Sequence, residues 1–346
     1  MKHQTTRYGE IPFYKIGTFG NTADAFISKK LFLEYKTKYS FPKKGDILIS
    51  ASGTIGRAVI YDGKPAYFQD SNIVWIDNDE TLVKNDFLFY AYSHVKWNTE
   101  HTTILRLYND NFRNTLIPLP PLNEQSAIAN ILSGLDRYLY NLDALILKKE
   151  SVKKALSFEL LSQRKRLKGF NQAWQRVRLG DIANYLTSNL SAEQITQQGK
   201  IKVYDVNNFI GYTDTTFISD KPYISIVKDG SVGRVRILPP KTNILSTMGA
   251  LIANHRTTTE FLFYLLSNFD FKNFTSGSII PHIYFKDYKE KTIFLPPLNE
   301  QIAIANILST LDKEIASLKN KKRQFENIKK ALNHDLMSAK IRVLEK

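Results

Sequence analysis

Residues Ile117–Asp136 read IPLPPLNEQSAIANILSGLD, and residues Ile293–Asp312 read IFLPPLNEQIAIANILSTLD. Seventeen of the 20 positions are identical at an offset of 176, so the chain contains one module twice. The similarity runs outward in both directions. Val152-Lys153-Lys154-Ala155-Leu156 matches Ile328-Lys329-Lys330-Ala331-Leu332, and Leu107-Tyr108 matches Ile283-Tyr284, at the same offset. Phe87-Leu88-Phe89-Tyr90 matches Phe261-Leu262-Phe263-Tyr264 at 174, and Gly53-Thr54-Ile55-Gly56-Arg57 matches Gly230-Ser231-Val232-Gly233-Arg234 at 177. Small insertions in surface loops produce a drift of that size.

In each copy the quoted stretch opens a helix. Pro120-Pro121 and Pro296-Pro297 forbid helix ahead of them. Asn123 and Asn299 are placed to cap the helix that follows, and Glu124 and Glu300 suit its positive start. Apolar residues then alternate in steps of four and three. They are Ile128, Leu132, Leu135, Leu139, Leu142 and Ile146 in one copy, and Ile304, Leu308, Leu311, Ile315 and Leu318 in the other. This heptad seam slips near Lys149 and Lys322 and resumes at Val152, Leu156 and Leu160, and at Ile328, Leu332 and Leu336. Each helix is expected to run about 40 residues, roughly 60 Å. One apolar stripe on so long a helix needs a partner. The duplication makes the other helix that partner, in a pseudo-twofold antiparallel coiled coil that serves as a spacer.

The heads that precede the helices read as mixed. Gly45–Ser50 and Arg57–Tyr61 form strand patterns on either side of a glycine turn, repeated by Tyr223–Val227 and Gly233–Ile237, and Asn72–Ile76 continues the pattern. Phe87–Tyr92 and Phe261–Leu266 suit short amphipathic helices. The expected fold is therefore α+β: two mixed α/β heads joined by two long helices. The domains run 1–121, 122–169, 170–297 and 298–346. Copy two has a lead-in, Trp174–Gly199, with no counterpart before Ile11-Pro12-Phe13-Tyr14, so the first head reads as N-terminally shortened.

Composition bounds the function. Lys and Arg number 48 against 33 acidic residues, a net charge of +15, and a globular chain this basic points to a polyanion. Nucleic acid leads and an anionic membrane surface follows. Cysteine is absent, which excludes disulfides, zinc fingers and thiol nucleophiles. Met1–Glu10 is polar and does not read as a signal peptide, and no apolar run approaches the ~20 residues of a membrane span. The expected compartment is the cytoplasm, with no membrane partner.

Catalytic signatures are missing. Each Pro-Pro pair lies between leucines or ahead of Lys, not behind the Asn or Asp of an adenine methyltransferase motif, and no phosphate loop ends in Gly-Lys-Ser/Thr. Asp24, Glu34 and Lys36 form only a loose nuclease-like charge pattern, and no histidines sit at metal-ligand spacing. A stand-alone nuclease or methyltransferase is the alternative function, and it has no motif behind it.

Binding features remain. The turns around Ser52, Gly53, Thr54 and Arg57, and around Ser231 and Arg234, combine small residues with an arginine. Small residues admit a phosphate to the backbone, and Arg pairs with phosphate or guanine. Lys43, Lys44, Lys228 and Arg236 lie nearby in sequence. A turn present in both heads equally fits a fold-defining role, with base choice made where the heads differ.

The paired LPPLNEQxxIAxILSxLD motifs strongly resemble the specificity subunits of type I restriction–modification enzymes. Lys43–Ser50, Trp174–Asp181 and Gly277-Ser278-Ile279-Ile280-Pro281-His282 resemble the heads of that family as well. The resemblance covers essentially the whole chain. It implies two target-recognition domains, each reading half of a split site on double-stranded DNA, with the helical stalk fixing the gap. It implies docking of two modification subunits at the stalk openings, Asn123, Glu124, Gln125 and Asn299, Glu300, Gln301, with restriction subunits joining them. Catalysis, S-adenosylmethionine, ATP and Mg²⁺ would belong to those partners, leaving no cofactor and no catalytic residue on this chain.

Overall fold

The computed structural model describes residues 4–68, 72–97 and 106–344. It contains two compact units, Met1–Asp143 with Asn320–Lys346, and Ala144–Lys319. Each unit holds one head, half of the long helix after that head, and half of the other long helix. The division therefore cuts through the helices, whereas the sequence suggested boundaries between heads and helices.

In the first unit the chain runs through β1 (Ile11–Tyr14), β2 (Ala25–Ile27), α1 (Lys29–Lys38), β3 (Ile47–Ser50), β4 (Ala58–Ile60), β5 (Tyr67–Phe68), β6 (Ile73–Trp75), α2 (Asn85–His94), α3 (Asn109–Arg113) and into α4 (Leu122–Leu161). Two small sheets result, β2-β1-β5 and β4-β3-β6. The first includes a parallel pairing of β1 with β5, which pattern reading did not reveal. Nor did it reveal α1, which starts where the Ser28 side chain accepts from the Leu31 amide.

The second unit repeats this plan. It contains β7 (Gln175–Arg178), β8 (Ala183–Thr187), β9 (Ile201–Tyr204), β10 (Phe209–Thr213), β11 (Tyr223–Val227), β12 (Val235–Leu238), β13 (Asn243–Ile244), β14 (Met248–Ala253), α5 (Thr259–Ser267), β15 (Thr275–Ser276), β16 (His282–Ile283), α6 (Phe285–Tyr288), β17 (Thr292–Leu295) and the start of α7 (Leu298–Met337). Sheet β10-β9-β13 reproduces β2-β1-β5, parallel pair included, and β12-β11-β14 reproduces β4-β3-β6.

The lead-in seen only in copy two supplies β7 and β8. Strand β8 adds a fourth strand beside β14, and β7 pairs with β17. That second pairing covers Leu295, which is 4% exposed, while Leu119 at the matching position of head one is 48% exposed.

The long helices each span 40 residues, as their seam predicts. They begin at Leu122 and Leu298, so Asn123 and Asn299 lie inside the first turn and do not cap it; each side chain accepts instead from the next amide. Ile128, Leu132, Leu142 and Ile146 are buried, as are Ile304, Leu308 and Ile315. The resumed seam is less regular. Leu160 and Leu336 are buried, but Val152 and Ile328 are 45% and 50% exposed, because the slip rotates them out of the stripe.

Candidate nucleic-acid interface and the joint beneath it

Within each unit the two helix segments run antiparallel and are laced by charge. In the first, Lys322 meets Asp143 at 2.7 Å, Lys329 pairs with Asp136, and Phe325 packs on Tyr138 at 4.6 Å between centroids. In the second, Lys149 meets Glu314 at 2.6 Å, Lys319 meets Glu150 at 2.6 Å, and Lys153 pairs with Asp312.

The head is fastened to these segments by the quoted motif itself. Tyr90 donates to Asp136 and Tyr264 donates to Asp312, both at 2.8 Å. Each pair joins the short helix of a head to its long helix. The low dielectric and the carboxylate next to each phenol push both tyrosine pKa values well up.

Gln125 and Gln301 are each 1% exposed or less and work as hooks. The Gln125 amide donates to Leu82 O at 3.0 Å and Pro120 O at 2.8 Å, and its oxygen accepts from the Lys84 amide at 2.8 Å. The Gln301 amide donates to Arg256 O at 2.9 Å and Pro296 O at 2.8 Å, and its oxygen accepts from the Thr258 amide at 3.1 Å and the Thr257 hydroxyl at 2.9 Å.

Glu124 and Glu300 complete the joint, one residue ahead of the hooks. Arg342 donates to Glu124 through Nε at 2.7 Å and through Nη2, with the Val343 amide adding a third donor at 3.3 Å. Arg166 donates to Glu300 through Nε at 3.2 Å and Nη2 at 2.6 Å, and the Trp174 indole adds the third at 3.0 Å. Arg166 and Arg342 stand 176 residues apart, the offset of the repeat. Both arginines were missed in the sequence because the surrounding residues diverge; the fixed offset was the signal that could have found them.

This placement corrects the expectation that Glu124, Gln125, Glu300 and Gln301 meet partner subunits. All four are buried and spend their polar atoms inside their own unit, because a carboxylate removed from water needs such partners. Of the six residues expected to meet partners, Asn123 and Asn299 alone are exposed.

The joint carries a pH dependence. Hydrogen bonds from Arg342 hold the Glu124 carboxyl below its ordinary value of 4.5. A carboxyl lowered in the folded state stabilises above its unfolded pKa, and that contribution is lost as pH falls through the folded one. Urea midpoints of the first unit are therefore expected to fall below pH 4.5, and Glu124→Gln to flatten that fall. Equal pH slopes for the two proteins would show that the Arg342 pairing contributes nothing.

The candidate binding residues divide. In head one the glycine turn holds Gly53 at φ +68 and Gly56 at φ +81. A Cβ on Gly56 would lie 2.2 Å from the Trp97 indole, and one on Gly233 lies 2.6 Å from Phe271. These glycines are therefore fixed by packing as well as by conformation. Ser52 is 7% exposed and donates to Asn72 at 2.8 Å, which corrects its reading as a phosphate contact. Gly53, Thr54 and Arg57 are exposed, and the Arg57 guanidinium leans on Phe19 O at 2.9 Å.

Lys43 and Lys44 are not beside this turn. The register pairs Ile47 with Ile60 and Ile49 with Ala58, so the two lysines sit at the far end of the β3–β4 hairpin from Arg57. Lys43 pairs with Asp77 at 2.9 Å, and that bond raises its pKa.

Head two brings more of its candidates together. Arg234 donates to Asn207 Oδ1 at 2.8 Å and Arg236 donates to Asn207 O at 2.9 Å, with the Arg236 guanidinium 5.2 Å above the Tyr204 ring. Lys228 and Ser231 flank the same turn, and Ser231 and Arg234 are exposed. Tyr204 ends β9 in the other sheet of the head and Asn207 lies in the turn between β9 and β10; neither carries a sequence signal. Among the described residues no group of three His, Asp or Glu could hold a metal, and no helix is long and apolar enough to cross a membrane.

Comparison with known proteins fits this arrangement. Residues 1–149 and 171–327 each match the type I restriction modification DNA specificity domain. A putative type I restriction enzyme specificity subunit of Haemophilus influenzae is 65% identical over 137 residues, 39% of this chain and 36% of that protein. A putative specificity subunit of Methanocaldococcus jannaschii is 29% identical over 335 residues, 86% of this chain and 79% of that one. The crystal structure of a type I system S subunit from M. genitalium has a similar fold, with a TM-score of 0.62, 21% identity, and coverage of 97% and 91%.

Proposed function

The chain belongs to the type I restriction–modification DNA specificity family, and from that premise we propose that each head reads one half of a split site on duplex DNA. The observation that carries the proposal is the exposed arginine turn, presented by both heads on the same two-sheet frame. Arg57 and Arg234 meet backbone phosphate or guanine there, and phosphate contact supplies affinity together with its salt dependence. Choice of bases falls to residues that differ between the heads, such as Arg236, whose counterpart Val59 is apolar.

In this reading the two 40-residue helices set the gap between half-sites. Modification subunits dock at the helix openings, where Leu122 and Leu298 are 38% and 45% exposed beside Asn123 and Asn299. Restriction subunits join that complex. Methyl transfer from S-adenosylmethionine and the steps needing ATP and Mg²⁺ belong to those partners, and this chain contributes the selection.

The test is methylation sequencing of DNA treated with the chain reconstituted with its modification subunits. Deleting one heptad from both helices is expected to change the spacer and leave both half-sites intact. Altered half-sites at an unchanged spacer would sink the idea of a helical ruler. Arg57→Ala and Arg234→Ala are expected to weaken duplex binding and to lower the slope of log affinity against log salt by about 1 each. Binding curves that overlay the parent at every salt concentration would remove these turns from the interface.

A further inference from the structure

The segment Gly277–Pro281 forms the tip of a short hairpin between β15 and β16, and the joint between head and helix does not use it. Ile279 is 92% exposed and Ile280 54% exposed. Single exposed apolar residues are ordinary, but two at the point of a stiff projection are not.

The stiffness is built in. Thr275 pairs with Ile283 and Ser276 with His282. Gly277 sits at φ +90, and a Cβ there would lie 2.3 Å from Ile280 O, so the turn closes only on glycine. The hairpin is also buckled to the arginine turn. Gly230 N donates to Pro281 O at 2.9 Å, Ile283 N donates to Lys228 O at 2.9 Å, and His282 Nδ1 meets Asp229 at 2.7 Å. The isoleucine tip and the Lys228–Arg234 turn are therefore one rigid piece.

Lys228 and Arg234 belong to the turn across the buckle, Arg234 donating to Asn207, and Lys286, next to the exposed Asp287, sits 5.6 Å over the ring of Tyr284 just beyond β16. The one acid in the buckle, Asp229, is engaged by His282. An apolar point bonded to a turn that carries lysine and arginine suits duplex DNA, which offers apolar base faces between two rows of phosphate. A protein-docking surface would place its apolar residues in a wider patch. A rigid tip also orders little on binding.

We propose that Ile279, backed by Ile280, enters the stacked duplex at a base step in the half-site under head two while Lys228 and Arg234 hold the adjoining phosphates. Apolar wedges of this kind partly unstack a step and kink the helix. The proposal rests on the DNA-reading role argued above and adds a source of selectivity to it. Pyrimidine–purine steps unstack most readily, so the half-site of head two is expected to contain one.

The test uses the full chain assembled with its modification subunits and the duplex site identified by methylation sequencing. 2-Aminopurine replaces in turn each adenine of both half-sites, on either strand, except the methylated one. A fluorescence rise at one step of one half-site is expected, and Ile279→Ser/Ile280→Ser is expected to abolish it and weaken binding about tenfold. The Ile279→Leu/Ile280→Leu variant should retain the rise, since it keeps the apolar bulk. No rise at any position in a complex that binds and methylates would overturn the wedge and leave the DNA-reading role standing. A rise that survives the serine variant would overturn it too. So would a serine variant that loses only the modification subunits, because the tip would then be a protein contact. A parent complex that fails to bind or methylate duplex DNA would instead refute the reading on which the wedge rests.

Discussion

Replacing Glu300 by alanine is expected to destabilise the unit Ala144–Lys319 by about 3–5 kcal/mol, the usual effect of removing one member of a buried ion pair. Glu300 is fully buried, and three donors converge on it: two nitrogens of Arg166 and the Trp174 indole. Truncation leaves all three donors without that acceptor, two of them on an Arg166 side chain that is 26% exposed. Glu300→Gln keeps one acceptor and should fall between the parent and the alanine variant. Urea denaturation followed by hydrogen exchange gives the measurement. A loss under about 1 kcal/mol would place Glu300 with ordinary surface pairs and remove the clamp from the account.

Leu132→Ala and Leu308→Ala should each cost about 2–5 kcal/mol, since both leucines are fully buried and alanine leaves a cavity. Their separation carries the sharper expectation. Leu132 packs with Phe87, Tyr90, Leu336 and Met337 in the first unit. Leu308 packs in the core that includes Leu160, Phe261, Leu262 and Ile304 in the second. Each substitution is expected to lower protection from hydrogen exchange in its own unit and leave the other near its parent value. Uniform loss across both would mean that the two units unfold as one cooperative body, against the division at Asp143 and Asn320.

The long helices were legible because a heptad pattern is local and repeats often enough to be counted. The residues of the joint were visible but misread. Glu124 and Gln125 were expected at partner contacts because the family resemblance implies docking at the helix openings. Their identity with Glu300 and Gln301 reflects one internal fastening made twice. What sequence could not show was pairing between distant segments. The parallel contact of β1 with β5, the meeting of Arg236 with Asn207 and Tyr204, and the clamp of Arg342 on Glu124 all depend on chain paths that no window of residues encodes. The distance of Lys43 and Lys44 from Arg57 belongs to the same class. Strand register decides which end of a hairpin a residue occupies, and nearness in sequence does not.

The glutamine hooks bear on how such a chain can change over time. Among the described residues the Gln125 side chain bonds only to main-chain atoms of Leu82, Lys84 and Pro120, and the Gln301 side chain bonds to the main chain of Arg256, Pro296 and Thr258 and to the Thr257 hydroxyl. A fastening that takes hold of backbone is largely indifferent to side chains. Any head whose loop follows the same path can be seated on it, whatever residues line its DNA-facing surface. Inheritance can thus remodel what a head reads, or replace a head outright, without having to invent a new attachment each time.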